Sequence, residues 1–193
     1  MKKVLLSGLF ALGIVFGSFA QRVETLPQTS ENVGMDPIRQ GNWMVGGSVG
    51  SLGYSFEGEN FNIQLNPRAG YFISDGIAIG AQAALGLQTV SGGDNVWNYG
   101  IAPFVRYYFP EGSSSTGRFF GHGNVGIGGS SIGSGASFEA GIAGGYAHFI
   151  TRNVALETTL GYNYSKANLN SGGGANGLGV SVGFQIYLPG RAR

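Results

Sequence analysis

Two histidines, His122 and His148, are the only imidazoles in this 193-residue chain, and it contains no cysteine. Metal chemistry needs several converging ligands, and neither histidine has carboxylates at ligand spacing around it. The stretch Gly121-His122-Gly123-Asn124-Val125-Gly126 has the glycine spacing of a dinucleotide loop. Such a loop must follow a strand and open a helix, whereas this one lies inside an alternating strand pattern. Ser113, Ser114, Ser115 and Thr116 read as a turn, and Gly172-Gly173-Gly174 lacks the spaced aspartates of calcium-binding repeats. The sequence therefore predicts no catalytic, cofactor or metal site and no enzyme. Six ionisable side chains remain that could act together: Arg68, Arg106, Arg118, His122, Glu139 and Glu157. They can form a network of ion pairs or line a selective path, and the elements that carry them decide which.

Those elements read as strands. From Phe61 to Ile73 the residues Phe61, Ile63, Leu65, Ala69, Tyr71 and Ile73 alternate with Asn62, Gln64, Asn66, Arg68 and Gly70. A repeat of two puts successive side chains on opposite faces of a sheet. The same alternation runs from Val96 to Phe109 and from Leu178 to Leu188, with Phe104 as an apolar residue on the polar side. Weaker segments cover Trp43 to Gly53, Ile77 to Val90, Arg118 to Gly128, Ser137 to Phe149 and Val154 to Ser165. Eight strands joined by Gly, Asn, Asp and Ser clusters predict an all-β chain, closed as an antiparallel up-and-down transmembrane β-barrel. Pro67 and Pro103 fall in strand interiors, where each removes a ladder donor, so bulges or missing bonds are expected there. The turn phrases Gly70 to Ile79 and Gly145 to Leu156 echo one another, through either hairpin duplication or a shared turn chemistry.

Composition says what solvent the strands meet. Only 11% of the residues are charged, against 37 glycines, 13 phenylalanines and 9 tyrosines. A water-soluble surface usually carries about 25 to 35% charged residues, so most of this one is built for another medium. No stretch after residue 20 is apolar for the ~20 residues a membrane helix needs, which leaves strands to cross a bilayer. The chain opens with Lys2 and Lys3, an apolar run from Val4 to Phe16, and small residues at Ser18 and Ala20. This is the layout of a cleaved signal peptide over 1–20. Residues 21–41, with Pro27 and Pro37, read as a flexible periplasmic lead-in, 42–188 as the barrel and 189–193 as a short periplasmic tail. Without Lys2 and Lys3 the count falls from 11 basic residues to 9 against 10 acidic ones, which gives no reason to expect nucleic acid as a partner.

The apolar face, turned outward, meets outer-membrane lipid and carries aromatic residues at both ends. Trp43, Tyr71, Tyr107, Phe109, Phe119 and Tyr146 gather toward the periplasmic strand ends; Phe61, Trp97, Tyr99, Phe138, Tyr162 and Tyr164 gather toward the external ends. Girdles at both interfaces are what a membrane barrel requires. The inverse arrangement, a soluble barrel with these aromatics inside, would leave an almost uncharged outer surface of Gly, Ala, Ser, Asn and Gln. The polar face then lines the lumen. Glu157 follows its tight turn by a few residues, and Arg68 and Arg106 precede theirs by a few, so these three should share a depth, with Glu139 nearer the outside. Eight strands enclose a lumen only just wide enough for side chains, which favours a charged plug over a conducting path.

The last strand contains Ser181-x-Gly183-x-x-Ile186-x-Leu188. With Gly76-Ile77-Ala78-Ile79-Gly80 and Asn153-Val154-Ala155-Leu156-Glu157, it resembles the small outer-membrane β-barrels of diderm bacteria, the porin-family and OmpA-like or OmpW-like barrel domains. The resemblance spans 42–188. It implies an outer-membrane location and a terminal strand read by the barrel-assembly machinery, although Pro189 to Arg193 follow where that family ends on an aromatic residue. The expected function is a non-enzymatic structural or surface-interaction barrel, with a narrow channel for small solutes as the alternative.

Overall fold

The computed structural model describes residues 30–55, 60–89, 92–109, 116–132, 135–167 and 175–190. Residues 1–20, expected to be a signal peptide, and Ser113 to Ser115, Gly172 to Gly174 and the last three residues of the tail lie outside the described residues. Eight strands run in chain order: β1 (Trp43–Ser55), β2 (Asn60–Ser74), β3 (Ile77–Thr89), β4 (Val96–Tyr108), β5 (Gly117–Ser130), β6 (Ser137–Thr151), β7 (Val154–Ala167) and β8 (Ala175–Leu188). Each pairs antiparallel with the next, and β8 closes on β1, giving the closed up-and-down barrel that the alternation predicts. A closed ladder satisfies every strand edge, which an apolar medium demands.

The register fixes the stagger. A row of paired residues leaving Val105 through Gly123, Ile142 and Tyr162 reaches β8 at Leu178. Leaving Val105 the other way, through Ile79, Tyr71 and Trp43, it reaches β8 at Leu188, ten residues further on. That shear tilts the strands, typically by ~35–45°, and makes the barrel wide enough to be filled by side chains.

Pro67 and Pro103 interrupt the ladder without shifting it. Pairing of β2 with β3 stops at Leu65↔Leu85 and resumes at Arg68↔Gln82; pairing of β4 with β5 stops at Ile101↔Ile127 and resumes at Phe104↔Asn124. Each proline remains paired on its other side, with Gly47 and Ala81 respectively. The result is a missing bond on one side of each proline, not a bulge. Register shifts occur elsewhere: at Gly50/Gly53 in β1, and at Phe72/Ser74 and Phe149/Thr151, just before the tight turns that join β2 to β3 and β6 to β7. At the first turn Gly76 holds φ near +75°, a conformation that costs a residue with a Cβ.

Alternation sorts the side chains as the two faces require. Ile142 is 69% exposed and Leu178 79%, whereas Arg106 is fully buried. Apolar groups face out and charges face in, which excludes the inside-out barrel. Phe104 follows its parity into the lumen and is buried there.

Residues 30–42 depart from the expected flexible lead-in. They cross the turn end of the barrel, with a 3-10 turn at Asp36–Ile38, and bury Val33 and Ile38 against the lumen aromatics. Ile38 O accepts from Gly76 N at 2.8 Å, Glu31 N donates to Phe149 O at 2.9 Å, and Asn42 Nδ2 donates to Asp36 O at 2.7 Å. The segment is too short and too polar to show a periodicity. Its fold comes from two apolar side chains meeting an apolar floor and from backbone groups that find partners at the strand ends.

Candidate functional site

The turn half of the lumen is packed solid. Phe72, Tyr108, Phe120, Phe149 and Tyr187 are each almost wholly buried there, with Phe149 and Tyr187 ring centres 5.2 Å apart and Tyr108 and Phe120 5.6 Å apart. All five sit at inward parity near strand ends, a signal legible in the sequence once the faces are assigned. Above them lies the charged layer. Arg106 Nη1 donates to Glu157 Oε1 at 2.7 Å and Oε2 at 2.9 Å, and to Tyr108 Oη at 3.1 Å. Tyr108 and Tyr187 share a hydroxyl hydrogen bond of 2.8 Å. The guanidinium also lies over the Phe120 ring, 4.2 Å from its centre, so a cation–π contact adds to the ion pair.

Arg68 stands beside this pair with Nη1 3.8 Å from Glu157 Oε2, and it gives Nη2 to Ser48 Oγ at 2.7 Å. His122 completes the layer. Arg106 Nε donates to His122 Nδ1 at 3.4 Å, and His122 Nε2 lies 3.1 Å from Gln82 Oε1. With Nδ1 accepting, Nε2 carries the proton and the ring is neutral. At the β8–β1 seam beside this layer, a Cβ at Gly183 would collide with Gly47 O and Ser48.

The structure thus brings Arg68, Arg106, His122 and Glu157 together, and separates the other two predicted members. Arg118 lies at the turn end, where Nη2 donates to Gly34 O at 2.7 Å and Nη1 to Gly117 O at 2.8 Å, holding the amino-terminal segment in place. It leaves the predicted network because the barrel tilt lowers β5 at that point. Glu139 lies higher, in the loop half. Sequence reasoning did not single out Ser48, Gln82, Tyr108 and Tyr187, since neutral side chains are marked only by parity.

Above the charged layer the lumen opens. Small and amide side chains leave a polar cavity of about 310 Å³ walled by Arg68, Gln82, His122, Asn124, Glu139 and Asn163 among others. A second of about 460 Å³ shares Gln64, Glu139 and Ser165 with it and reaches Asn62, Gln88, Asn98 and Ser130 at the loop ends of the strands. Together they form a well whose floor is the charged layer.

On the outer face the girdle residues sit in pairs at the turn end: Trp43 with Tyr71 at 5.1 Å, Tyr107 with Phe109 at 5.3 Å, and Phe119 with Tyr146 at 4.9 Å between ring centres. At the loop end Trp97, Tyr99, Phe138 and Tyr162 are exposed, while Tyr164 is partly buried. His148 stacks near Tyr146 on this outer face, so the two histidines do not meet. Ser181, Gly183, Ile186 and Leu188 lie along β8, with Ser181 and Gly183 toward the lumen side and Leu188 exposed on the outside.

Solved structures with the same architecture include Neisserial surface protein A, with a TM-score of 0.58 at 18% identity over 76% of this chain and 97% of that one. The outer membrane protein OprG from Pseudomonas aeruginosa gives 0.50 at 15% identity, over 82% of this chain and all of that one. The fold is that of the small bacterial outer-membrane barrels. No protein-family model matches the chain, and no curated protein matches it.

Proposed function

We propose that this chain is a non-enzymatic integral barrel of the bacterial outer membrane that faces the exterior with a polar well and does not conduct. A cleaved signal peptide exports it, the barrel-assembly machinery reads β8, and lipid covers the apolar belt. The loop end then faces outside and the turn end faces the periplasm. One observation carries the reading: the lumen is stoppered three times over below the well. The Arg106–Glu157 pair spans it, a layer of buried aromatic rings lies beneath, and Val33 and Ile38 close the mouth. A pore would need all three to move together, and buried ion pairs of this kind resist separation.

Single-channel recording of the purified barrel in planar bilayers tests this. The expected trace is flat at moderate voltage. Steady ion-selective conductance, altered by Glu157→Gln, would support the narrow solute channel instead.

A further inference from the structure

Within the charged layer the buried charges do not balance. Arg106 takes Glu157 for itself, at 2.7 and 2.9 Å, and the neutral His122 adds no charge. Arg68 is the surplus cation. Its side chain is 7% exposed, it stands 3.8 Å from a carboxylate already engaged, and its Nε is buried with no hydrogen-bond partner among the described residues. Leaving a buried cation so poorly matched costs stability, and the Arg106–Glu157 pair would be neutral without it. Arg68 instead forms part of the floor of the well.

The well holds a matching opposite charge. Glu139 lines the same cavity and makes no ion pair or hydrogen bond among the described residues. Its carboxylate lies over two glycines, where a Cβ at Gly128 would stand 2.7 Å from Oε1 and one at Gly100 3.5 Å from Oε2. The walls between the two charges are neutral donors and acceptors, among them Gln82, Asn124 and Asn163. A simple anion would satisfy Arg68 but face Glu139, and a simple cation would do the reverse.

We propose that the well binds a small zwitterion, a free amino acid or short peptide, with its carboxylate on Arg68 and its ammonium toward Glu139. This rests on the reading of the barrel as a closed, outward-facing well. Arg68 offers a carboxylate the forked, charge-assisted hydrogen bonds that guanidinium groups form best. A cavity of about 310 Å³ lies at the small end of the ~300–1,000 Å³ typical of small-molecule sites, which suits one or two residues of peptide.

Calorimetric titration of the folded barrel with dialanine, N-acetyl-dialanine and dialanine amide tests it. Dialanine should bind, and removing either terminal charge should weaken binding by about tenfold, the scale of one charge-assisted contact. In Arg68→Gln, dialanine and its amide should bind alike; in Glu139→Gln, dialanine and its N-acetyl form should bind alike. Failure of the wild type to bind dialanine, or charge discrimination that persists unchanged in the matching variant, overturns the proposal. Glu139 has no partner to lose among the described residues, so its variant keeps the test decisive if Arg68→Gln folds poorly. Uptake of dialanine by liposomes carrying the barrel would refute the closed-barrel reading separately, because the charge crossover is scored on binding alone.

Discussion

Replacing Glu157 with Gln removes the one negative charge from the lumen layer and leaves its size unchanged. In the wild type that carboxylate accepts two hydrogen bonds from Arg106, which is fully buried, and stands 3.8 Å from the almost buried Arg68. The variant leaves two guanidinium groups facing each other with no anion between them. An amide oxygen keeps one acceptor, so part of the hydrogen bonding survives while the charge compensation does not. Breaking a buried pair in this way costs about 3 to 5 kcal/mol, and the second cation places this site in the upper part of that range. Arg68→Gln should behave oppositely: it leaves Arg106 and Glu157 balanced, gives up the bond to Ser48 and the looser 3.8 Å contact with Glu157 while relieving repulsion from Arg106, and should change stability by about 1 kcal/mol or less. The double variant Glu157→Gln with Arg68→Gln should recover part of the first loss, because the two sites are coupled. Denaturant titration of the three variants in one detergent measures all of this. If Glu157→Gln costs no more than about 1 kcal/mol, the layer is hydrated and screened, and the stopper argument fails.

Three further outcomes follow from the same geometry. The protein should fractionate with outer membranes and migrate faster on unheated gels; recovery from the soluble periplasmic fraction without detergent would contradict the exposed apolar belt. Ile38→Asp should detach the amino-terminal segment, because a carboxylate cannot sit at a fully buried position against aromatic rings. Trypsin should then cut after Arg39 while the unheated gel shift of the barrel persists; protection of that bond would show that the segment does not depend on its apolar anchors. Gly183→Asp should lower the yield of folded barrel without impairing export, since any side chain there collides with Gly47 and Ser48 at the closing seam. Normal accumulation of the folded Gly183→Asp protein would show that the seam can open to admit a side chain.

The sequence alone determined the number of strands, their order and the face on which each side chain lies. A repeat of two is a local property of an extended chain, so Arg106, Tyr108, Glu157 and Tyr187 could be placed in a lumen without knowing the barrel. Distance from the tight turns also set the common depth of Arg68, Arg106 and Glu157. Only the tertiary structure decided partners around the circumference, because these depend on the ten-residue stagger by which β8 meets β1. That stagger pairs Arg106 with Glu157 across 51 positions of chain, sends Arg118 to the mouth and sets Glu139 beside Gly100 and Gly128. The segment around Ile38 was invisible for a related reason: with no period of its own, it takes its shape from a surface that exists only once the barrel has closed.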